Sequence, residues 1–110
     1  MDVVATLIEL KPRSSEAVGA WAAYVEEHRA DAEQTLRAEG VAVESWFELS
    51  IGGREYLLCY MRAESISAAH EIARESQSPV DAYHREFKRN TWVEGKTVNA
   101  QLLLDLMATR

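Results

Sequence analysis

Cysteine, proline and glycine are all scarce in this chain of 110 residues, which contains one cysteine, two prolines and five glycines. Because Cys59 stands alone, the chain cannot form an intramolecular disulfide or a cage of cysteine ligands around a metal. The scarcity of proline and glycine argues against a long flexible linker. These absences predict one compact domain over residues 1–110, and a reducing cytoplasm is the compartment that fits best.

Clusters of lysine and arginine are also missing, and the formal net charge is −6 at pH 7. An acidic chain without a basic patch repels a phosphate backbone, so nucleic acid is not an expected partner. No apolar run approaches the roughly 18 residues of a membrane span, and the amino terminus lacks the basic region of an export signal. We therefore expect no membrane partner.

Hydrophobic residues make up 47% of the chain and are arranged in alternating strand and helix patterns. Residues 3–10 are aliphatic and β-branched, which predicts a first strand. A serine cap at Ser14 or Ser15 and a terminating Gly40 predict one long helix over about residues 15–39. An apolar stripe follows this helix at steps of three and four, so one side of the helix is expected to pack on a sheet.

A β-hairpin is the sharpest local signal in the sequence. Residues 41–50 alternate, Gly52 and Gly53 suit a tight turn, and residues 54–62 return. Pairing about the two glycines predicts one face with Val43, Ser45, Phe47, Leu49, Tyr56, Leu58, Tyr60 and Arg62. The other face then carries Glu44, Trp46, Glu48, Leu57, Cys59 and Met61. A one-residue bulge would exchange half of this assignment between the faces.

The remaining pattern completes the order βαββαβ. Ser65 suits a helix cap, Pro79 separates this helix from a second short one, and a last strand is predicted over residues 97–107. The predicted fold class is α+β, a ferredoxin-like sandwich with both helical segments on one side of the sheet. The strands are apolar at both parities, so a second copy of the chain is expected to cover the other side. A charge at Leu57, taken as an outward position, is predicted to disrupt this homodimer.

Five runs of sequence carry a resemblance to a known family: LKP at 10–12, the Trp21–His28 helix, EGVAVESWFEL at 39–49, YLLCYMRAES at 56–65 and SPVDAYH at 78–84. Together they resemble a bacterial and archaeal family of unknown function in the dimeric α/β-barrel superfamily. More distantly they resemble rhamnose-mutarotase-like and antibiotic-biosynthesis-monooxygenase-like proteins. The resemblance implies the fold and a homodimer but no particular activity.

The candidate catalytic residues are His84 and Asp81, which lie three positions apart on a predicted helix. A carboxylate at that spacing could orient the imidazole and raise its basicity, as a general base requires. Alternatively, Asp81 only favours the positive end of the helix dipole and His84 is a packed histidine. His28 and Tyr24, one turn apart on the apolar stripe, are candidate substrate-binding residues that are expected to line a pocket. Alternatively, His28 serves as a hydrogen-bonded core histidine.

The candidate substrate-binding residues on the sheet are Tyr60, Arg62 and Ser45, which share one predicted face. A phenol and a guanidinium there could hold a carboxylate, although solvation of Arg62 at the sheet edge explains it equally well. A catalytic role for Glu44 stays open, whereas Glu48 is interpreted as solvent-facing. Cys59 is expected to be a small buried hydrophobe.

No cofactor or metal is expected, because the sequence has no phosphate loop, no dinucleotide fingerprint and no ligand spacing among its histidines. The leading hypothesis is a small cofactor-free enzyme, or an enzyme-like protein, acting on a small organic molecule held between sheet and helices. The alternative is a non-catalytic homodimer that binds a ligand or a protein. An enclosed cavity joining His84, His28 and Tyr60 would favour the enzyme, and a filled core would favour the alternative.

Overall fold

The computed structural model describes residues 1–108 and has an α+β fold. Thr109 and Arg110, the end of the predicted domain, lie outside the described residues. The four strands form one sheet in the order β2-β3-β1-β4, and every neighbouring pair is antiparallel. The elements in chain order are β1 (Asp2–Leu10), α1 (Ser15–Glu27), α2 (Arg29–Glu39), β2 (Val41–Ile51), β3 (Arg54–Ala63), α3 (Ile66–Glu75), α4 (Pro79–Thr91) and β4 (Trp92–Asn99).

The prediction of one long helix over residues 15–39 is wrong, because the helix breaks at His28. The backbone of His28 has φ −110° and ψ 33°, between α1 and α2. Two groups of His28 contact the carbonyl oxygen of Tyr24: the ring Nδ1 at 2.8 Å and the backbone nitrogen at 3.0 Å. The side chain thus competes for a carbonyl that a continuous helix would use only in its backbone ladder. The predicted end at Gly40 is confirmed, since Gly40 adopts φ 75°.

The predicted hairpin is confirmed in its turn and in its register. Gly52 and Gly53 both have positive φ, at 56° and 82°, as a two-residue type I′ turn requires. From the turn, the pairs run without interruption from Ile51↔Arg54 to Val43↔Arg62. The register then shifts before Val41↔Ala63, so Ala42 is an extra residue on β2. This bulge lets Val41 face the helices although its parity is opposite to that of Glu44.

The core lies between the sheet and the helices. Its central residues include Ile8, Leu57 and Ala63, each at most 1% exposed. The prediction that Leu57 points outward is therefore wrong. Side chains alternate along β3, so Leu57 lies under the helices and Leu58 lies on the opposite face. We call that opposite side the open face. On the inner strands β1 and β3 and the edge strand β2, the residues of the open face are Val3, Ala5, Leu7, Glu9, Val43, Ser45, Phe47, Leu49, Tyr56, Leu58, Tyr60 and Arg62.

The last strand begins and ends earlier than predicted. It covers Trp92–Asn99, whereas residues 100–108 have no regular secondary structure. Gly95, with φ 78°, lies inside this strand near a shift of register against β1. The leucines that follow are apolar, but a strand also needs a neighbour with which to pair its backbone. None of the helices in the described residues is long and apolar enough to cross a membrane.

Candidate functional site

The sheet separates the seven candidate residues into two groups. His84, Asp81 and Tyr24 belong to helices on one side of the sheet, and His28 lies on the same side at the break between α1 and α2. Ser45, Tyr60 and Arg62 lie on the open face. His84, His28 and Tyr60 therefore do not join in one enclosed cavity.

His84 lies inside a cluster of aromatic rings. The ring centroids of Trp46, Trp21 and Trp92 are 5.5, 5.7 and 6.2 Å from that of His84, and Phe87 is also 6.2 Å away. Trp21 stacks on Phe87 at 4.6 Å and meets Trp46 edge-on at 5.1 Å. Such geometries are favourable for aromatic pairs. The rings thus fill the space around the imidazole.

The hydrogen bond from Trp21 determines which nitrogen of His84 carries the proton. Trp21 Nε1 donates to His84 Nδ1 over 3.2 Å. Because indole only donates, Nδ1 is unprotonated and the neutral ring carries its proton on Nε2. Burial, with lesser contributions from Lys88 and Arg85, lowers the pKa of His84 to about 4. At neutral pH this histidine is an uncharged hydrogen-bond donor and only a weak base.

Asp81 makes no hydrogen bond to His84 in the described part of the chain, so the orienting pair predicted from their spacing does not form. The Oδ2 atom of Asp81 is instead buried without a hydrogen-bond partner among the described residues. Its negative charge contributes to the raised pKa values of two other carboxyl groups, Glu39 and Glu44. Asp81, Glu39 and Glu44 therefore form a group of three carboxyls whose charges interact.

Glu44 is a half-buried member of this group of carboxyls. Its Oε2 accepts a hydrogen bond of 2.9 Å from Trp46 Nε1. Burial raises the pKa of Glu44, and Asp81 raises it further, while the Trp46 hydrogen bond and the Lys88 ammonium oppose that rise. A carboxyl whose pKa is moved towards neutrality is suited to both accepting and donating a proton.

A groove leads to Glu44 from the surface. It has a volume of about 460 Å³ and lies between α2 and the first residues of β2. The bulge at Ala42 forms part of its wall, and bulges often re-aim side chains beside sites. Its lining residues are Glu33, Leu36, Arg37, Val41, Ala42, Val43 and Glu44. Glu44 thus connects the groove with the carboxyl and aromatic cluster.

Tyr24 and His28 form a stack with Tyr83 rather than a binding wall. The Tyr24 ring lies 4.1 Å from His28 and 3.9 Å from Tyr83, nearly parallel to the latter. The Nδ1–H of His28 can donate to the Tyr24 carbonyl oxygen at 2.8 Å. These contacts account for both residues through packing of α1 on α4.

On the open face, Arg62 and Tyr60 hold a carboxylate from the chain itself. Arg62 donates to both oxygens of Asp105, over 2.7 and 3.1 Å. Its Nε and Nη2 also donate to the Tyr60 hydroxyl over 3.1 and 2.9 Å. The bidentate hydrogen bonds from Arg62 lower the pKa of Asp105. Ser45 pairs across from Tyr60 on the neighbouring strand.

Sequence reasoning missed several members of the helix-side cluster: Trp21, Trp46, Trp92, Glu39 and Lys88. The sequence predicts Trp21 on an apolar helix stripe and Trp46 on a strand, and it makes no prediction for Trp92. The clue to a further role is the polar indole N–H on each. Trp92 Nε1 is buried without a partner in the part of the chain described, beneath Lys88, whose Nζ is 5.1 Å from the ring centroid. Cys59 is buried as expected, and burial and Glu44 raise its pKa to about 12.

The carboxyl group and its neighbours do not form a metal site, since no three potential ligands converge within residues 1–108. No curated protein matches this chain in sequence. A family model matches residues 1–110, the whole sequence. The chain therefore belongs to DUF6176, a family of unknown function.

Proposed function

We propose that this protein is a homodimer that binds a small organic molecule in the groove beside α2 and transfers a proton to or from it through Glu44, without a cofactor. The observation that carries this proposal is the position of Glu44. Glu44 lines the groove, is half-buried, and has a raised pKa. A general acid or base needs both access to a ligand and a pKa moved towards the working pH.

Three further polar groups support a ligand-binding role. The buried Oδ2 of Asp81 has acceptor capacity and the buried Nε1–H of Trp92 has donor capacity that no described residue uses. The tautomer of His84 leaves an Nε2–H as a donor. Buried groups without partners are costly unless water or a ligand satisfies them. In this proposal Glu44 replaces His84 as the base, and the charge of Asp81 helps to keep the pKa of Glu44 raised.

The proposed fold is the ferredoxin-like sandwich of a dimeric α/β barrel. The strand order β2-β3-β1-β4 supports it, as do the antiparallel pairs and the helices that pack on one side. The open face, with Phe47 54% and Val43 40% exposed, supports a second copy as its cover. Folds of this kind carry many activities, so the proposed chemistry depends on the Glu44 site alone.

A non-catalytic ligand-binding homodimer is the second candidate. It is favoured by the close packing around His84, where four aromatic rings leave the imidazole in a filled interior. In that case Glu44 and Asp81 recognise a ligand without exchanging a proton with it.

A ligand screen with an isotope readout distinguishes the two candidates. Small carboxylic acids, phenols and carbonyl compounds are screened for line broadening of their own NMR signals in the presence of protein, and binders are then incubated with it in D₂O. We expect the protein to catalyse deuterium incorporation at an acidic C–H of a binder, and Glu44→Gln to remove this activity. Glu48→Gln is the matched control, because Glu48 lies on the same strand and parity but is exposed. Binding without deuterium incorporation would favour the non-catalytic candidate.

A further inference from the structure

The last described residues, 100–108, form a strongly apolar segment that we call the C-terminal arm. Every residue of the arm is exposed. The exposed fractions of Leu103, Leu104 and Leu106 are 83%, 77% and 88%. Single exposed leucines need no explanation, but several together on one short segment form a patch of the kind that marks an interaction surface.

The arm is held across the open face. The Ala100 N–H donates to the Ala5 carbonyl oxygen over 2.8 Å, which continues the pairing of β4 beside β1. Residues 101–104 then form a groove of about 400 Å³ with Val3, Ala5 and Tyr60. Asp105 finally reaches Arg62 on β3. The arm therefore crosses the sheet from β4 over β1 to β3 and leaves β2 uncovered.

The charges of the open face are neutralised within the chain. Arg62 is paired with Asp105, and Glu9 accepts a hydrogen bond of 3.1 Å from Arg54. Desolvating an unpaired charge is strongly unfavourable, whereas desolvating a paired charge with its hydrogen bonds satisfied costs much less. This surface is thus suited to an apolar partner and unsuited to a charged one such as nucleic acid.

We infer that the C-terminal arm of each subunit packs on the uncovered β2 side of the partner's open face, with Asp105 and Arg62 holding the arm in position on its own subunit. This inference rests on the proposed homodimer. One chain carries both complementary parts, an apolar ridge at Leu103, Leu104 and Leu106 and an apolar floor at Val43 and Phe47. A two-fold axis then repeats the same contact twice, as an isologous interface requires.

The number of residues available also fits a second copy. A stable interface uses roughly 20–30 residues a side. Alternate residues of the four strands together with the arm provide about that many, so the whole open side is needed and little of it remains for another partner.

Mixed cross-linking tests the contact directly. Two single variants, Leu104→Cys and Phe47→Cys, are mixed and oxidised, and the expected product is a disulfide-linked dimer of the two different chains. Cys59 does not interfere, because it is buried and its pKa is raised to about 12. Ile72→Cys is the matched control for Phe47→Cys, because Ile72 is 44% exposed but belongs to α3 on the helix side. Cross-linking of Leu104→Cys with Phe47→Cys no stronger than with Ile72→Cys overturns the inference.

Sedimentation measures the energetic role of the arm. We expect Leu104→Glu and Leu106→Glu to raise the dimer dissociation constant at least 100-fold with an unchanged circular dichroism spectrum, and Ile72→Glu to leave it unchanged. A wild-type protein that stays at 12.4 kDa at all concentrations contradicts the homodimer itself. A wild-type dimer that Phe47→Glu dissociates but neither arm variant weakens contradicts the arm contact alone. Deletion of residues 100–110 provides a second arm variant, and an intact dimer after this deletion also overturns the inference.

Discussion

His84 allows a sharp test of the helix-side cluster through the dependence of stability on pH. Its pKa is lowered from 6.5 to about 4 in the folded protein. Between these values the unfolded chain binds a proton that the folded chain excludes, so stability is lost as pH falls. Each pKa unit corresponds to about 1.4 kcal/mol, so His84 alone contributes about 3 kcal/mol at pH 7 that is absent at pH 4.

Two carboxyl groups act in the opposite direction over part of the same pH range. The pKa of Glu39 is raised to about 7 and that of Glu44 is raised above its ordinary value, so their contributions favour the folded state as pH falls. The free energy of unfolding of the wild type as a function of pH is therefore the sum of contributions with opposite pH dependence. Only the difference between wild type and a variant without His84 isolates the imidazole.

His84→Asn is the variant of choice, because its Oδ1 can replace Nδ1 as the acceptor for Trp21 Nε1–H. The smaller side chain leaves a gap among the rings and should lower the free energy of unfolding at pH 7 by about 1–3 kcal/mol. As pH falls from 7 to 4, we expect the wild type to lose about 3 kcal/mol more than the variant. Urea unfolding at matched protein concentration, followed by circular dichroism at half-unit pH steps, measures this difference.

His70→Asn is the control, because it removes a histidine from an exposed position on α3. It should leave the pH dependence of unfolding close to that of the wild type. An NMR titration of the imidazole signals gives the His84 pKa independently. A His84 pKa above 6, or parallel stability curves for wild type and His84→Asn, would refute the described burial and hydrogen bonding of this ring.

Three other changes test different parts of the structure. The raised pKa of Glu39 stabilises the wild type below pH 4.5, and this contribution is lost as pH rises through about 7, so Glu39→Gln should remove it. Because Glu39 is partly exposed, solvent screening reduces the expected effect to about 1 kcal/mol in urea unfolding. Identical pH dependence of unfolding for wild type and Glu39→Gln would contradict this prediction. Leu57→Asp should unfold the protein, whereas Leu58→Asp on the open face should leave a folded monomer; circular dichroism and sedimentation distinguish these outcomes, and a reversed order would contradict the face assignment. Cys59 should react with a thiol reagent only at the rate of unfolding, and fast labelling of the native protein would contradict its burial.

The local sequence determined the elements whose geometry depends on neighbours along the chain. The hairpin is the clearest case, since two adjacent glycines with positive φ set the turn and the turn sets the pairing of Ser45 with Tyr60. The serine cap at Ser65, the start of α4 at Pro79 and the end of α2 at Gly40 were predictable for the same reason. Together with the hydrophobic periodicity, these signals were sufficient to predict the α+β class.

The tertiary structure decided what depends on residues far apart in sequence. Asp81 and His84 have the right spacing, but Trp21, on another helix, provides the partner of the imidazole. Glu44 becomes a candidate acid or base only because the fold partly buries it, beside Trp46 and near Asp81. Desolvation and charge act through space, and no pattern along the chain contains those distances.

The end of the chain shows the same division. The apolar residues after Asn99 were predicted to continue the last strand. Strand formation requires a neighbour with free backbone groups, and residues 100–108 extend across the open face instead. Asp105 meets Arg62 although 43 residues separate them. The sequence by itself determined that this segment is apolar. The tertiary structure decided where the segment lies, because its position depends on contacts with residues of the open face that are distant in sequence.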